Sequence, residues 1–553
     1  MQYEINEKSK TYKNNTIETL TNIKQQQQDN KQLKKHPQPA RLQFQIKRSK
    51  LFNNPLENLG ISYPIYYDTS SLSKLDKQIQ FAIKISAYKD FISSIAFQNS
   101  IFVEAPSDKN YPLYKAYVGK GNNSQLIRMI FKKRTWWTLT DQKEDSIINI
   151  LWTQLRSQKF LDQLNNGETI KNTLTMNTIQ SFEKNIKINN FPHLLKMHNH
   201  LEDNFHLTNK KALFYNMRSY YQSIGKNVFQ YLPLTFHIQE GKEDSEYIKF
   251  KEYFQEQQKK NQPNIWIIKP GEITNRGCGI KVLNDIYSIQ LIIDSKETHA
   301  ISGIRKTYII QKYIENPLLY QKRKFDIRCY YLLTTFNGNL KAYWYQEGYV
   351  RTSSQEFTVK NFNKNIHLTN DAIQNKDDTY GKYEIGNKVS YCDMNKYIQQ
   401  NYPNKDFYYN ILPQMKNIAK DTLNAVYAKI DPFRKENTLE IYGLDFMVDQ
   451  QFNVWLIEIN TNPALDICSP LLSKIIPEMI ENTFRIAIDP VFPPAGFTNF
   501  KNNFNIDNPL ENNKYELFFD ELTDGNNMKI IENDQKLNWD TINKEEEKLE
   551  ENE

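Results

Sequence analysis

The chain has 553 residues, of which 39% are hydrophobic and 13% aromatic, so it exceeds what one hydrophobic core usually supports and should form two or three structured units. Its four cysteines are widely spaced and form no CxxC pair, which argues against a disulfide framework and against a zinc cluster. No apolar run approaches the roughly 18 residues of a membrane span, and the first residues lack an apolar signal-peptide core. We therefore expect a soluble intracellular protein with reduced thiols and no membrane span.

Charge is distributed unevenly along the chain. The formal net charge is +7, but the segment from Thr498 to Glu553 holds 6 lysines and 15 acidic residues, a net charge of −9. The rest of the chain therefore carries about +16. A basic body attracts polyanions, so we expect an acidic partner, which could be nucleic acid, an anionic membrane or an acidic protein tail. The acidic segment itself is either a solubilising tail or an internal competitor for the basic surface.

Composition and periodicity divide the chain into regions. The first region is rich in Gln, Asn and Lys and is predicted to be disordered. The next has apolar residues at helical spacing from Leu75 to Phe97. After it, aromatic and β-branched strands alternate with amphipathic helices, which predicts an α+β body with an N-terminal α/β domain and disordered polar tails. The predicted boundaries are a basic tail at 1–55, a helical lead-in at 56–110, the N-terminal and linker part of the body at 111–262, its C-terminal part at 263–497 and an acidic tail at 498–553.

The first polar cluster is IIKPGEITNRGCGI. Lys269 ends a predicted strand, and Arg276, Gly277 and Gly279 lie in the Gly-rich turn that follows. Glycines let backbone N–H groups approach phosphate oxygens closely, and a lysine supplies a point charge. Neither common phosphate-loop pattern is present, so an ordinary Gly-rich hairpin is an equal alternative.

The second cluster is QKYIENPLLYQKRKFDIRCYYLL. Gln311 to Ile314 form a predicted extended hinge whose backbone could bond the edge of a base. Lys324, Asp326 and Arg328 alternate along a strand, so their side chains share one face and suit phosphate, a ribose hydroxyl or a metal, and a second anion. The alternative is a solvated face with local salt bridges, but the hydrophobic residues between these charges indicate a central strand.

The third cluster is YGLDFMVDQQFNVWLIEINTNP. Asp445 lies on one predicted strand, while Glu458 and Asn460 lie two residues apart on the next and share a side. Two carboxylates and an amide oxygen are hard ligands that suit Mg²⁺. A carboxylate between two isoleucines is costly to bury without a metal or a donor. This cluster therefore predicts a metal site.

Together these clusters resemble the tubulin–tyrosine-ligase family from roughly Gly119 to Pro494. Eight segments occur in the family's order, namely KPGEITNRGCGI, QKYIENPLL, RKFDIR, EGYVRTSS, HLTNDAIQ, YGKYEIGN, GLDFMVD and VWLIEINTNP. The resemblance implies an ATP-grasp fold with its catalytic domain at 263–497, and ATP and Mg²⁺ as cofactors. It also implies ligation of an amino acid to a protein carboxylate through an acyl phosphate.

The resemblance also implies roles for individual residues. The nucleotide-binding positions it implies are Lys211, Lys269, Arg276, Gly277, the adenine hinge Gln311, Lys312, Tyr313 and Ile314, and then Lys324, Asp326, Thr369 and Asn370. The implied Mg²⁺ ligands are Asp445, Glu458 and Asn460. Arg328 and Arg351 match arginines associated with the γ-phosphate and with the acyl or amino-acid substrate.

The partner implied by the resemblance is tubulin, through its acidic C-terminal tails, together with a free amino acid. The stretch Arg128, Lys132, Lys133 and Arg134, before Trp136 and Trp137, is a candidate contact, and the equal alternative is a solvated helix face with a Trp pair in the core. Nucleic acid is not expected, because no RNP or KH motif is present. The implied location is the cytoplasm and the cytoskeleton, including the cilium or axoneme.

The choice of amino acid depends on local likeness. EGYVRTSS and HLTNDAIQ are close to the tyrosine-adding member, whereas KPG with the RGxGI loop, QKYIENPLL and WLIEIN resemble the glycine-adding members. We therefore favour a glycine ligase, with a polyglutamylase or a tyrosine ligase as alternatives. A non-catalytic microtubule-binding protein is a remoter alternative, because Lys269, Lys324, Asp445, Glu458 and Asn460 are all present.

Overall fold

The computed structural model describes residues 114–166, 195–271, 279–295, 306–336, 338–492 and 513–525. The predicted basic tail at 1–55, the helical lead-in at 56–110, and Arg276 and Gly277 of the Gly-rich turn lie outside the described residues. All described residues belong to one compact unit.

The strands of the described residues are β1 (Tyr114–Val118), β2 (Trp137–Thr140), β3 (Ile150–Trp152), β4 (Met197–His198), β5 (Thr235–Ile238), β6 (Trp266–Pro270), β7 (Lys281–Leu283), β8 (Tyr308–Lys312), β9 (Leu319–Tyr320), β10 (Arg323–Phe336), β11 (Asn339–Tyr345), β12 (Tyr349–Glu356), β13 (Lys388–Ser390), β14 (Thr438–Val448), β15 (Val454–Thr461) and β16 (Tyr515–Asp520). The α-helices are α1 (Ser124–Lys133), α2 (Gln158–Leu161), α3 (Phe205–Thr208), α4 (Lys210–Ser223), α5 (Ser245–Lys259), α6 (Ile286–Ile293), α7 (Lys364–His367), α8 (Asp371–Gln374), α9 (Tyr391–Asn401), α10 (Leu412–Val426), α11 (Pro470–Thr483) and α12 (Glu521–Asp524). Short π-helical turns precede α10 and follow α11.

Twelve strands form one large mixed sheet, ordered β13-β12-β10-β14-β4-β3-β1-β2, with β9, β11, β15 and β16 attached beside this path. Its N-terminal part is parallel, since β1 pairs with β2 and β3, and its C-terminal part is antiparallel. With the helices packed around it, this is the predicted α+β architecture. The segment from Leu340 to Ser353 forms two strands, because the chain turns at Gly348, where a Cβ would lie 2.4 Å from the carbonyl oxygen of Arg328.

The central strand β10 is buried on both faces, because alternate side chains along it pack into two different hydrophobic clusters. Ile327, Tyr331 and Leu333 belong to one hydrophobic cluster of the core, whereas Tyr330 and Leu332 belong to another. Successive side chains of a strand point to opposite faces, so each cluster takes every second residue. The polar residues Asp326 and Arg328 therefore share the face of Tyr330 and Leu332.

Four strands form a second, antiparallel sheet, ordered β5-β8-β6-β7. Phe250 of α5 and Ile289 of α6 pack with Phe236, Trp266 and Ile310 into the core of this sheet. Strand β5 comes from the predicted 111–262 part and the other three strands from the predicted 263–497 part, so the sheet extends across that boundary.

The prediction of a disordered acidic tail is wrong for residues 513–525. Strand β16 pairs antiparallel with β11 and buries Tyr515 and Phe519, each with 1% of its surface exposed. Its acidic neighbours pair with cations of the body: Glu516 with Lys416, Glu521 with Arg434 at 2.7 Å, Asp524 with Lys420 at 2.9 Å and Asp520 with Lys341 at 3.2 Å. These ion pairs offset the negative charge on which the prediction of a solvated tail was based.

The predicted basic contact around α1 is divided between the core and the surface. Arg134 is buried, and its guanidinium donates to Asp489 Oδ1 at 2.7 Å and Glu481 Oε2 at 3.0 Å. Trp136 and Trp137 lie in the core. Lys132 and Lys133 are exposed. The Trp pair and Arg134 therefore stabilise the fold and cannot contact an acidic partner.

None of the helices in the described part of the chain is long and apolar enough to cross a membrane.

Replacement of Phe519 by Ala should lower the free energy of unfolding by about 3–5 kcal/mol, because it empties a packed aromatic site in the core. Urea denaturation followed by circular dichroism measures this change. Leu522→Ala, at a side chain that is 58% exposed on the next element, is the matched control and should change stability by about 0.5 kcal/mol or less. Equal stability of Phe519→Ala and the unaltered chain would contradict the assignment of β16 to the sheet.

Candidate functional site

A cleft of about 870 Å³ is lined by strands of both sheets. Lys269 of β6 and Gln311 of β8 face it from the small sheet. Arg328 of β10 and Asp445 of β14 face it from the large sheet.

Every predicted site residue that the structure describes lines this cleft, except Lys211. These residues are Lys269, Gln311, Lys312, Tyr313, Ile314, Lys324, Asp326, Arg328, Arg351, Thr369, Asn370, Asp445, Glu458 and Asn460. Lys211 is buried on α4, and its predecessor Lys210 lines the cleft instead. Asn209 begins α4 by accepting hydrogen bonds from the amides of Lys211 and Ala212. The sequence of two adjacent lysines does not indicate which of them faces the cleft.

Strand register places the charges of the large sheet in two neighbouring rows. Arg328 on β10 is the cross-strand partner of Asp445 on β14, and Asp445 is the partner of Glu458 on β15. Asp326 is the partner of Arg351 on β12. Directly opposed residues of antiparallel strands have Cβ atoms only about 5 Å apart, so these side chains meet.

Two buried carboxylates and two buried guanidiniums form a continuous network. Arg351 contacts Asp326 through Nε at 2.6 Å and Nη2 at 2.7 Å, and its Nη2 also lies 2.7 Å from Asp445 Oδ2. Arg328 contacts Asp445 through Nε at 2.5 Å and Nη2 at 3.1 Å. Burial would raise the pKa of the Asp445 carboxyl, but Arg328 and Arg351 outweigh it and hold that pKa well below its usual range. The carboxylate therefore stays ionised.

Two buried lysines of the cleft have lowered pKa values. Burial lowers the pKa of Lys269 to about 8, although Glu458 and Asp445 oppose the shift. Burial lowers the pKa of Lys324 to about 7, with Asp326 opposing the shift and Lys269 adding to it. A bound anion would favour the charged form of both lysines, so the cleft suits a polyanion.

Lys324 is positioned by a chain of hydrogen bonds that includes His367. Its Nζ donates to Tyr313 Oη at 3.0 Å and to the His367 carbonyl at 2.7 Å. His367 Nε2 lies 2.7 Å from the Asn361 carbonyl, which makes Nε2 the protonated nitrogen and lets Nδ1 accept from the Tyr313 hydroxyl at 2.8 Å. Our sequence analysis missed His367, although it begins the HLTN segment. Burial lowers its pKa, so the ring is neutral at neutral pH.

Two backbone amides of the predicted hinge from Gln311 to Ile314 already donate hydrogen bonds within and beside the small sheet. The amides of Lys312 and Tyr313 donate to the carbonyls of Leu234 at 2.7 Å and Ile265 at 3.0 Å. Gln311 accepts from Lys269 Nζ at 2.8 Å through its side chain. The amides of Lys312 and Tyr313 are therefore not available to a base bound in this part of the cleft.

Thr369 joins the network from the loop before α8. The Thr369 hydroxyl donates to Asp326 Oδ2, the oxygen that Arg351 also contacts. Asn370 comes directly before α8 and faces the cleft.

The predicted metal ligands fit a hard cation. Asn460 shares the strand of Glu458, and its Nδ2 lies 3.5 Å from Glu458 Oε1 and 3.4 Å from the Gly443 carbonyl, so its amide oxygen is the atom that could coordinate. Asp445 Oδ1 accepts one hydrogen bond and keeps a lone pair. No cluster of three or more His, Cys, Asp or Glu that could hold a metal occurs in the described residues, so a cation here would have two carboxylates and one amide as protein ligands. Mg²⁺ tolerates such a set because it keeps waters and phosphates as further ligands.

A cleft with buried lysines facing two carboxylates and an amide is the kind of site that binds a polyanion with a divalent cation. The model of the tubulin-tyrosine ligase family matches residues 187–495, more than half of the sequence, and the chain therefore belongs to this family. This confirms the resemblance found in the sequence.

Several relatives are similar to this chain over part of their length. Tubulin glycylase 3D of Tetrahymena thermophila is 35% identical over 234 residues, which are 42% of this chain and 22% of the relative. Tubulin glycylase 3B of Drosophila melanogaster is 32% identical over 282 residues, 49% of this chain and 36% of the relative. A probable alpha-tubulin polyglutamylase, Ttll1 of Tetrahymena thermophila, is 29% identical over 366 residues, 64% of this chain and 81% of the relative. The chain thus spans between 22% and 36% of the length of these two glycylases.

Replacement of Lys324 by Met should weaken binding of inorganic triphosphate in a pH-dependent way. Lys324 is charged below a pKa of about 7 and loses its charge as the pH rises. The ratio of the dissociation constants of Lys324→Met and the unaltered chain should therefore be largest near pH 6 and fall about tenfold or more by about pH 9. Titration calorimetry measures it, and the titration of the triphosphate itself cancels in the ratio.

The matched control is Lys281→Met, which removes an exposed lysine of β7 outside the cleft and should leave the dissociation constant unchanged. A Lys324→Met ratio that stays constant with pH would rule out Lys324 as the titrating anion contact.

Proposed function

We propose that this chain is an ATP-dependent ligase that adds glycine to glutamate side chains in the acidic C-terminal tails of tubulin. The observation that supports it best is the meeting of the predicted nucleotide, metal and arginine positions on the walls of one cleft. The small sheet and the antiparallel part of the large sheet would be the two halves of an ATP-grasp fold, with the nucleotide between them.

The lysines would hold the phosphates of ATP. Lys269 and Lys324 face the cleft from opposite sheets, and both gain charge when an anion replaces water beside them. Asp445, Glu458 and Asn460 would hold Mg²⁺, which when bound offsets charge on the phosphates.

The acceptor carboxylate would attack the γ-phosphorus, forming an acyl phosphate and releasing ADP. The amine of the amino acid would then attack the acyl carbon, forming the amide, releasing phosphate and losing a proton. Arg328 and Arg351 face this part of the cleft with their charges already ordered by Asp445 and Asp326, so they can stabilise developing negative charge without reorganisation. No side-chain nucleophile is required.

Glycine is favoured because the similar proteins include tubulin glycylases of a ciliate and an insect. Polyglutamylation is the second candidate, because the probable alpha-tubulin polyglutamylase matches over 81% of its own length. Tyrosine ligation and non-catalytic microtubule binding are remoter alternatives. As a modifier of tubulin the protein would act in the cytoplasm on the cytoskeleton, including the cilium or axoneme, and would not need nucleic acid.

Incubation of the protein with tubulin, ATP, Mg²⁺ and labelled glycine, glutamate or tyrosine tests this proposal. We expect glycine to enter tubulin. Incorporation of glutamate or tyrosine without glycine would overturn the choice of amino acid. Tubulin binding without any incorporation would favour the non-catalytic alternative.

Replacement of Glu458 by Gln should reduce incorporation by about 100-fold or more while leaving stability within about 1 kcal/mol, because it removes one metal-ligand charge without changing size. Incorporation at a series of Mg²⁺ concentrations, with urea denaturation of the same sample, measures both effects. Glu252→Gln, at an exposed glutamate of α5, is the matched control and should behave as the unaltered chain. Near-normal incorporation by Glu458→Gln would show that Glu458 is not a required ligand.

A further inference from the structure

One part of the cleft carries a carboxylate that the proposed nucleotide and metal sites do not use. Asp371 directly follows Asn370, lines the cleft and has 39% of its side chain exposed. Lys388 fixes the position of the Asp371 carboxylate. Its Nζ lies 2.5 Å from Asp371 Oδ1 and also donates to the Gly386 carbonyl at 2.9 Å. The Lys388 side chain is fully buried. Asp371 is therefore a fixed carboxylate at the cleft surface.

The two oxygens of Asp371 have different surroundings. Oδ1 accepts from Lys388 and lies 3.4 Å from the Tyr380 hydroxyl. In the described structure, Oδ2 has the Cys468 thiol as its donor, at 3.9 Å. A thiol is a weak donor, so Oδ2 keeps the capacity to accept a strong hydrogen bond from a cation in the cleft.

The backbone links Asp371 to the charge network of the site. Thr369, two residues earlier, donates its hydroxyl to Asp326, which Arg351 also contacts. Tyr380 and Cys468 line the same part of the cleft as Asp371. A ligand group bound at Asp371 would therefore lie in the cavity that holds the proposed reaction.

The other carboxylates that line the cleft are paired with cations, assigned to the proposed metal site or exposed. Asp326 and Asp445 are paired with arginines, and Glu458 is the proposed metal ligand. Asp466 also lines the cleft but is exposed. An immobilised carboxylate binds a cationic group with less loss of side-chain freedom than an exposed one. Asp371 is thus the best-placed anionic group for a small cation.

We infer that Asp371 binds the α-ammonium group of the incoming amino acid. This inference rests on the proposed function, since the reaction needs a free amino acid beside the acceptor. Lys388 orients the Asp371 carboxylate. Because the Lys388 ammonium is already paired with Asp371, Lys388 does not bind an acidic side chain of the amino acid. The subsite would hold the ammonium group until it passes a proton to solvent water, and the free amine would then attack the acyl carbon of the acyl phosphate, whose phosphate leaves.

Asp371→Asn tests the inference through the KM for the amino acid. At saturating ATP and tubulin, the KM for whichever labelled amino acid the unaltered chain incorporates should rise about tenfold or more, because a charge-assisted hydrogen bond to the ammonium becomes a neutral one. The KM for ATP should stay within about twofold, since Asp371 is outside the proposed nucleotide site. Asp378→Asn removes a charge from an exposed position of the same segment and should change neither value.

The double variant Asp371→Asn with Lys388→Met separates binding from structural support. Asp371→Asn alone leaves the buried Lys388 charge without its partner, which can destabilise the segment. The double variant carries no such charge, so its melting temperature should be restored while its KM for the amino acid stays raised.

Three outcomes would overturn the inference. An unchanged KM for the amino acid in Asp371→Asn would do so and leave the proposed ligase activity intact. A KM restored to normal in the double variant would show that Asp371 serves only to neutralise Lys388. If the unaltered chain incorporates no amino acid at all, the proposed function fails and the inference fails with it.

Discussion

The site depends on the pairing of Asp445 with Arg328 and Arg351 in the middle of the large sheet. These groups are buried, and a buried charge without a partner costs several kcal/mol, about 3–5 when one member of a pair is removed. With Asp326 the network holds two carboxylates and two guanidiniums, so its formal charges balance. The strand register that creates these pairs also brings Glu458 beside Asp445. Fold and site therefore rest on the same interactions, and a slip of one residue along β14 would disrupt both.

Because the arginines are matched by carboxylates, the attraction for a polyanion depends on the lysines. Lys269 and Lys324 are buried and held by neutral partners, the Gln311 side chain for the first and the Tyr313 hydroxyl and a carbonyl for the second. Within the part of the chain that the structure describes, neither lysine has a carboxylate partner at hydrogen-bond distance, and burial explains their lowered pKa values. Such lysines have little competition from internal ion pairs when a phosphate arrives. The arginines, in contrast, are ordered in advance and suit charge that would develop later in the proposed reaction.

The sequence predicted most of the cleft because alternation along strands determines which side chains share a face. Asp445, Glu458 and Asn460 followed from that rule, and the HLTN segment followed from family resemblance. The sequence could not show that Asp326 and Asp445 are neutralised by Arg351 and Arg328, because the pairing depends on register between strands distant in the chain. For the same reason Asp371 was missed, since its partner Lys388 is brought to it by the folding of an intervening loop. The choice between Lys210 and Lys211 depended on the rotation of one helix.

The folded position of β16 changes what the overall charge implies about partners. The sequence suggested a basic body and a free acidic tail, but Glu516, Asp520, Glu521 and Asp524 pair with cations of the body. Residues 513–525 do not line the cleft, so this part of the tail does not compete for it. The paired cations, Lys416 and Arg434 among them, are likewise engaged and contribute less to long-range attraction than the residue count suggests. Recognition of the proposed acidic acceptor would then depend less on the total charge of the body than on the cations at the cleft itself, where burial strengthens each interaction and salt screens it less.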